Sequence, residues 1–280
     1  MPVPISVGHS PDADDAFMFY GIASGAVSPD PYEIIHVVED IQALNQRALN
    51  GDLEVTAISA AVYPTVADRY QILSCGASIG RKYGPVLLSR AGDTNKDLAG
   101  KRIAIPGAQT TAYLLMRIFV PDFEPVIMEF DAVLPSLDRG EVDAALVIHE
   151  GQVTWKELGY VNLMDLGEVW FNETGLPIPL GLDVVRRDLG EEGIESIFRI
   201  LRDSIVLTRD DEEGALDYAM AYGRGIDREL CRTFVRMYVN DDTVQMGGEG
   251  RLALQTLYER ALTAGLIDRV PPLDIVGLEE

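Results

Sequence analysis

One structural phrase occurs twice in this chain, and the repetition constrains the fold more than any single motif does. The helix-patterned IQALNQRALN ends at Gly51-Asp52 and leads into the extended LEVTAIS; AVLPSLDRG ends at Gly140-Glu141 and leads into VDAALVIHE. The two glycines are 89 positions apart (140 − 51). Upstream of each phrase another extended run passes through a polar loop into a helix. Ile5 to Gly8 enters SPDADDAFMFYGIAS, and Arg102 to Ile105 enters GAQTTAYLLMRIF. Glycine after a helix supplies the left-handed cap that L-residues avoid. Strands alternating with helices predict a parallel sheet in each half, with ligand-facing loops after the strand ends.

The second half is bracketed by GPVLLSR (84–90) and PIPLGLDVVRR (177–187), both apolar, extended and punctuated by Pro or Gly. Such segments suit two crossovers between lobes. From Glu191 onward the pattern is helical (IESIFRILRDSI, EGALDYAMAYG, RELCRTFVRMYV, GEGRLALQTLYERALTAG), and these helices are expected to pack back onto the first lobe. The sequence therefore predicts an α/β, bilobed chain. Lobe I takes residues 1–88 and 185–280, lobe II takes 89–184, and the site lies in the cleft between them. The competing arrangement is a single larger α/β domain.

Among 280 residues, 47% are hydrophobic and 24% charged, which suits a globular protein with a large core. No apolar stretch approaches the length of a membrane span. The first residues, MPVPISVGHS, show no basic-then-hydrophobic pattern of a secretory signal, so a cytoplasmic protein is expected. A formal charge of −22 disfavours nucleic acid and anionic membrane as partners and leaves a small molecule as the expected ligand. The two cysteines, Cys75 and Cys231, lack metal-ligand spacing and read as buried free thiols.

In the stretch KRIAIPGAQTTAYLLMR, an apolar run stops at Pro106-Gly107 and adjacent threonines open a helix. Thr110 or Thr111 can cap it, and the free N–H groups of its first turn form an anion site. Alone, that corner is better explained by ordinary capping; the second copy of the arrangement is what favours a ligand site. His149 ends the apolar run AALVIH, where the second lobe meets the cleft; an imidazole there suits a general base, or simply satisfies loop backbone groups. His36 lies inside an alternating strand pattern and reads as structural, while His9 has only its location after the first strand to speak for it. Asp12, Asp14 and Asp15 cluster before a helix, with Asp14 or Asp15 as N-cap and one carboxylate free to meet a ligand hydroxyl. A metal site lacks a second acidic cluster at telling spacing. Ser59, at the end of LEVTAIS, occupies nearly the place His149 holds in the other half. It can donate to a ligand, but no nucleophile elbow surrounds it. Trp155, Trp170 and Tyr160 suit core packing or an apolar wall.

IAIPGAQTTAYLL, LVIHEGQVTW, ETGLPIPLG and DRYQILSCGASIGRKYGPVLL together resemble the 1,4-dihydroxy-6-naphthoate synthase family of the futalosine route to menaquinone, related to chorismate dehydratase and to solute-binding proteins. The resemblance runs over most of the chain. It implies a type II periplasmic-binding-protein fold used as a cofactor-free lyase, with no metal and no redox cofactor, acting as a monomer or homodimer. The implied substrate is cyclic dehypoxanthine futalosine, cleaved to the dihydroxynaphthoate. The implied proton acceptor is His149. Thr110 and Thr111 would bind the ligand carboxylate, with backbone from Ala112 and the Gly107 turn, and Ser59 and Asp15 would complete the site. The family's first loop usually reads closer to S-P-C-P-N-D, against S-P-D-A-D-D here. A lysine it often carries two residues before the serine is Ala57 in this chain. Both changes make the pocket less welcoming to an anion. The alternatives are a non-catalytic receptor for a small carboxylate and a dehydratase like that of the sister family.

Overall fold

A computed structural model of the chain describes residues 2–120, 122–222 and 225–278. Two sheets carry the architecture. The first uses β1 (Val3–His9), β2 (Tyr32–Val38), β3 (Val55–Ser59), β4 (Tyr70–Leu73) and β5 (Ser78–Gly80). The chain then leaves for the second sheet, built from β6 (Val86–Ser89), β7 (Arg102–Ile105), β8 (Glu124–Ile127), β9 (Ala144–Val147) and β10 (Val161–Asp165). It returns through β11 (Ile178–Arg186) and closes with β12 (Ile275–Val276). Strand order is β12-β4-β11-β3-β1-β2 in the first sheet, with β5 on β11, and β10-β6-β9-β7-β8 in the second.

The repeated phrase is a structural repeat. Helix α1 (Ala13–Ala23) follows β1, and α2 (Ile41–Asn50) leads into β3; α4 (Thr111–Phe119) follows β7, and α5 (Val133–Asp138) leads into β9. A short helix, α3 (Tyr63–Val66), lies between β3 and β4. Gly51 caps α2 at φ 79°, and Gly140 just past α5 has φ 70°, so both glycines sit where a side chain is disfavoured. Asp40 starts α2 by accepting from the Gln42 and Ala43 amides.

Pairing of β1 with β2 and β3, and of β7 with β8 and β9, is parallel, as expected of each half. The sheets are nevertheless mixed rather than parallel throughout. The two crossover segments enter as antiparallel strands, β6 against β9 and β10, and β11 against β3, β4 and β5. Their membership also corrects the lobe boundaries. Strand β6 belongs to the second sheet and β11 to the first, so the divisions at 88/89 and 184/185 cut through hydrogen-bonded strands. A crossover strand satisfies its backbone in the sheet it enters, which moves each boundary toward the N-terminus.

Short helices α6 (Gly151–Thr154) and α7 (Leu166–Thr174) complete the second lobe. The C-terminal part is helical, as expected: α8 (Gly190–Asp210), α9 (Glu212–Ala219), α10 (Arg228–Tyr238), α11 (Asp241–Val244) and α12 (Gly248–Thr263). Helices α8, α9 and α10 pack on α1, but α12 spans both lobes, touching β11 and α4. The largest buried cluster accordingly runs from Ile58, Tyr63 and Tyr258 through Leu182 to Ile103, Leu115 and Trp170. Trp170 is fully buried with its indole N–H donating to Pro177 O at 2.8 Å, while Trp155 and Tyr160 flank a smaller cluster under β9. Both cysteines are buried and free. Among the described residues no helix is long and apolar enough to cross a membrane.

Candidate active site

The parallel strands β1, β3, β7 and β9 all end toward one cavity of about 800 Å³, counted to its open mouth. Sites in open α/β sheets form outside the carboxyl ends of such strands. Its wall includes Ser10, Asp14 and Asp15 after β1, Ala57 to Ser59 on β3, Thr111 and Ala112 after β7, Ile148 and His149 after β9, and Leu180 to Asp183 on β11, with further residues such as Gly76 and Tyr238.

His149 stands two residues beyond β9 in the left-handed region, φ 57°. That conformation costs an L-residue about 1–2 kcal/mol and turns the side chain away from the strand's own register. The ring is half-enclosed: the Phe130 ring meets it edge-on at 5.1 Å, and its Nδ1 lies 3.0 Å from Asp12 Oδ2. Asp12 corrects the expected cap of α1. It, rather than Asp14 or Asp15, is the N-cap, yet its side chain makes no capping hydrogen bond because it reaches across to the histidine.

Asp14 and Asp15 fall in the first turn of α1 and line the cavity. Asp15 Oδ2 accepts from Ser10 N at 2.5 Å, but desolvation and the neighbouring Asp12 charge still raise its carboxyl to about 6. Asp14 is pushed well above the carboxylate range by desolvation, then by Asp15, Asp12 and Glu150, and its Oδ1 is buried without a hydrogen-bond partner. Asp183 on β11, 5% exposed, is raised in the same way by desolvation and by Asp15. Desolvation and mutual repulsion thus make this part of the wall hold its protons to higher pH than exposed carboxyls do.

Ser59 accepts from Asn45 Nδ2 at 3.0 Å while its amide donates to Asn45 Oδ1 at 2.8 Å. Its own hydroxyl proton is left to offer a ligand. Thr110 is the N-cap of α4; its Oγ1 accepts from Tyr113 N and donates to Gly107 O, and neither Thr110 nor Gly107 forms part of the cavity wall. Thr111 does face it, but its hydroxyl is spent, donating to Leu180 O at 2.6 Å and accepting from Ala61 N at 3.1 Å. A hydroxyl has one proton, so neither threonine side chain has a donor left for a carboxylate. What remains at this corner are the first-turn amides of Thr111 and Ala112, which have no intrahelical acceptor. Gly107 instead backs onto the Gln42 side chain, whose amide exchanges hydrogen bonds with Gln109 (2.7 and 3.1 Å) between the lobes.

His36 and His9 lie away from this wall. His9 Nε2 is 3.0 Å from His36 Nδ1, His9 stacks on Phe19, and burial lowers the pKa of both. Sequence reasoning missed Asn45 and Asp183. A lone acid within the apolar PLGLDVVRR was the available signal for Asp183, since an acid is rarely buried without a task.

A family profile described as menaquinone biosynthesis matches residues 5–263. The chain belongs to that family. It is 40% identical over 263 residues to the 1,4-dihydroxy-6-naphthoate synthase of Thermus thermophilus, covering 94% of this chain and 95% of that one. To the synthase of the same name from Streptomyces coelicolor it is 36% identical over 274 residues, 96% of each chain. The crystal structure of protein AF1704 from Archaeoglobus fulgidus superposes with a TM-score of 0.91 at 48% identity, over 94% of this chain and 98% of that one. The aliphatic sulphonate binding protein SsuA of Escherichia coli gives 0.69 at 14% identity, over 98% and 91%, which shows a periplasmic-binding-protein fold and nothing of a ligand. The curated relatives are enzymes, and this member of the family is one as well.

Proposed function

We propose that this enzyme is a lyase that converts cyclic dehypoxanthine futalosine to 1,4-dihydroxy-6-naphthoate, with His149 as its general base. The observation that carries the reading is the imidazole on the cavity wall, tied through Nδ1 to Asp12 and lining the same cavity as the first turn of α4. A receptor that only holds a solute has no use for an oriented base. The amides of Thr111 and Ala112 are the donors that suit the substrate's carboxylate, and the Ser59 hydroxyl adds a third.

Chemically, His149 Nε2 takes a proton from carbon next to a carbonyl. The electron pair left behind forms the new double bond as the bond to the sugar-derived fragment breaks; that fragment leaves with the bonding pair and takes the proton back from the His149 imidazolium, and the ring becomes aromatic. A positioned base contributes about 10²–10⁴-fold to such a step. Aromatisation supplies the driving force, so the electrons need no external carrier. Enclosure between the lobes keeps water from the carbanion-like transition state.

Incubating the purified protein with cyclic dehypoxanthine futalosine and following product by mass tests the assignment. Formation of the dihydroxynaphthoate is expected. Binding without turnover would return the protein to the receptor class, and turnover of chorismate alone would make it a dehydratase.

A further inference from the structure

We propose that Asp12 is the positioning residue of this base, its carboxylate holding the His149 imidazole as the Nδ1–H tautomer with Nε2 presented to the cavity, in a pair that exists only while the two lobes stand together. The inference rests on the assignment of His149 as base and adds a residue and a condition to it.

Three observations converge on Asp12. Its carboxylate is almost wholly enclosed, 2% exposed against 19% for His149, so the 3.0 Å bond forms out of reach of bulk water. It occupies an N-cap position, where Asp ordinarily accepts from its own helix, and yet it turns to the histidine instead. His149 adopts a left-handed backbone, and the Phe130 edge at 5.1 Å limits the ring's freedom to turn. A forgone cap at one end of a hydrogen bond and backbone strain at the other are what a geometry kept for chemistry looks like.

The pair joins the lobes. Asp12 follows β1 of the first sheet, and His149 follows β9 of the second. Gln42 with Gln109, and the Tyr238 hydroxyl with the Gln152 side chain, tie the same two lobes on other sides. With Nδ1–H donated to Asp12, the lone pair of Nε2 is the basic site. The substrate C–H bond breaks, its proton goes to Nε2, and the imidazolium so formed is stabilised by the Asp12 carboxylate.

Other titratable groups stand near. Asp14 and Asp15 begin α1, Asp183 lies on β11, Tyr238 lies on α10, and Asp131 and Glu150 flank a neighbouring hollow in the second lobe. Asp15 is close enough for its carboxyl to feel the His149 charge, but the carboxylate that meets the ring nitrogen at 3.0 Å is that of Asp12.

The test compares kcat and KM of the wild-type protein and Asp12→Asn, with cyclic dehypoxanthine futalosine as substrate and His149→Asn as reference. Asn keeps the cap preference and the size of Asp12 while removing the charge. KM within about threefold and kcat lower by about tenfold or more support the pair, because a group that only orients the base leaves binding in place. A kcat fall below about tenfold, or a loss confined to KM, overturns it while leaving His149 as base. Full activity of His149→Asn instead overturns the assignment beneath it. If Asp12→Asn does not fold, the ¹⁵N shifts of His149 in wild-type protein bound to 1,4-dihydroxy-6-naphthoate decide the matter. A neutral ring protonated on Nδ1 is expected, and one protonated on Nε2 refutes the proposal.

Discussion

Asp15→Asn should make this protein more stable, and only above a certain pH. In the folded chain the Asp15 carboxyl is raised to about 6 from an ordinary 3.8, because the cavity desolvates it and Asp12 lies beside it. Every tenfold gain in proton affinity corresponds to about 1.4 kcal/mol, so keeping this group ionised costs the native state up to about 3 kcal/mol. The sign follows from linkage. A carboxyl with a raised native pKa contributes stability that is complete below about 4 and lost as pH climbs through about 6. Asparagine has no such loss, and its side-chain oxygen can still accept from Ser10 N, the bond Asp15 makes at 2.5 Å. Repulsion between the neighbouring Asp14 and Asp15 carboxyls spreads the effect over both, which puts the gain at pH 8 between about 1 and 3 kcal/mol. At about 3 °C per kcal/mol, Tm rises by roughly 3–9 °C. Calorimetric or circular-dichroism melts of both proteins at pH 4, 6 and 8 read it directly. A gain of equal size at pH 4 and 8 would place its origin in packing, and a loss at pH 8 would refute the reasoning. Activity is expected to fall in the same variant, since a destabilised carboxyl is retained where function needs it.

Two further substitutions probe the wall. Gly76→Ala drives a Cβ into Asp183 Oδ2 at a residue with φ 79°, so it should lower stability by at least about 1 kcal/mol in urea melts and raise KM by displacing Asp183; unchanged values would mean that Asp183 does not occupy the wall as described. Thr111→Val strands Leu180 O and Ala61 N, and should cost about 1–3 kcal/mol of unfolding free energy while the α4 amides keep most of the ligand affinity; a larger loss in binding than in stability would return the hydroxyl to the ligand.

Much of the scaffold was legible because it repeats. Gly51 and Gly140 both need positive φ, and each precedes a buried strand, so the 89-residue offset survives in sequence as it does in space. Direction was not legible in β6 and β11. A short strand buried on both faces reads as a continuous apolar run whether its neighbours are parallel or antiparallel to it. The candidate site divides along the same line. His149, Ser59 and Ala112 sit at strand or helix ends, where local pattern alone places them toward the cavity, and Thr111 reaches it by the same rule. What Thr111 does with its hydroxyl depends on Leu180 and Ala61, distant in sequence, and no local rule announces that. The three acids around the start of α1 are chemically alike, and local capping preference favoured Asp14 and Asp15, which in fact lie in its first turn. Asp12 is singled out only by a histidine in the other lobe.

The account stands or falls on whether the His149 side chain moves the proton. His149→Asn suits the question, because Asn tolerates the left-handed backbone that this position adopts. Substrate affinity by calorimetry should stay within about threefold of wild type while single-turnover formation of 1,4-dihydroxy-6-naphthoate falls by about 10²–10⁴-fold. Product formation at the wild-type rate by that variant would contradict it.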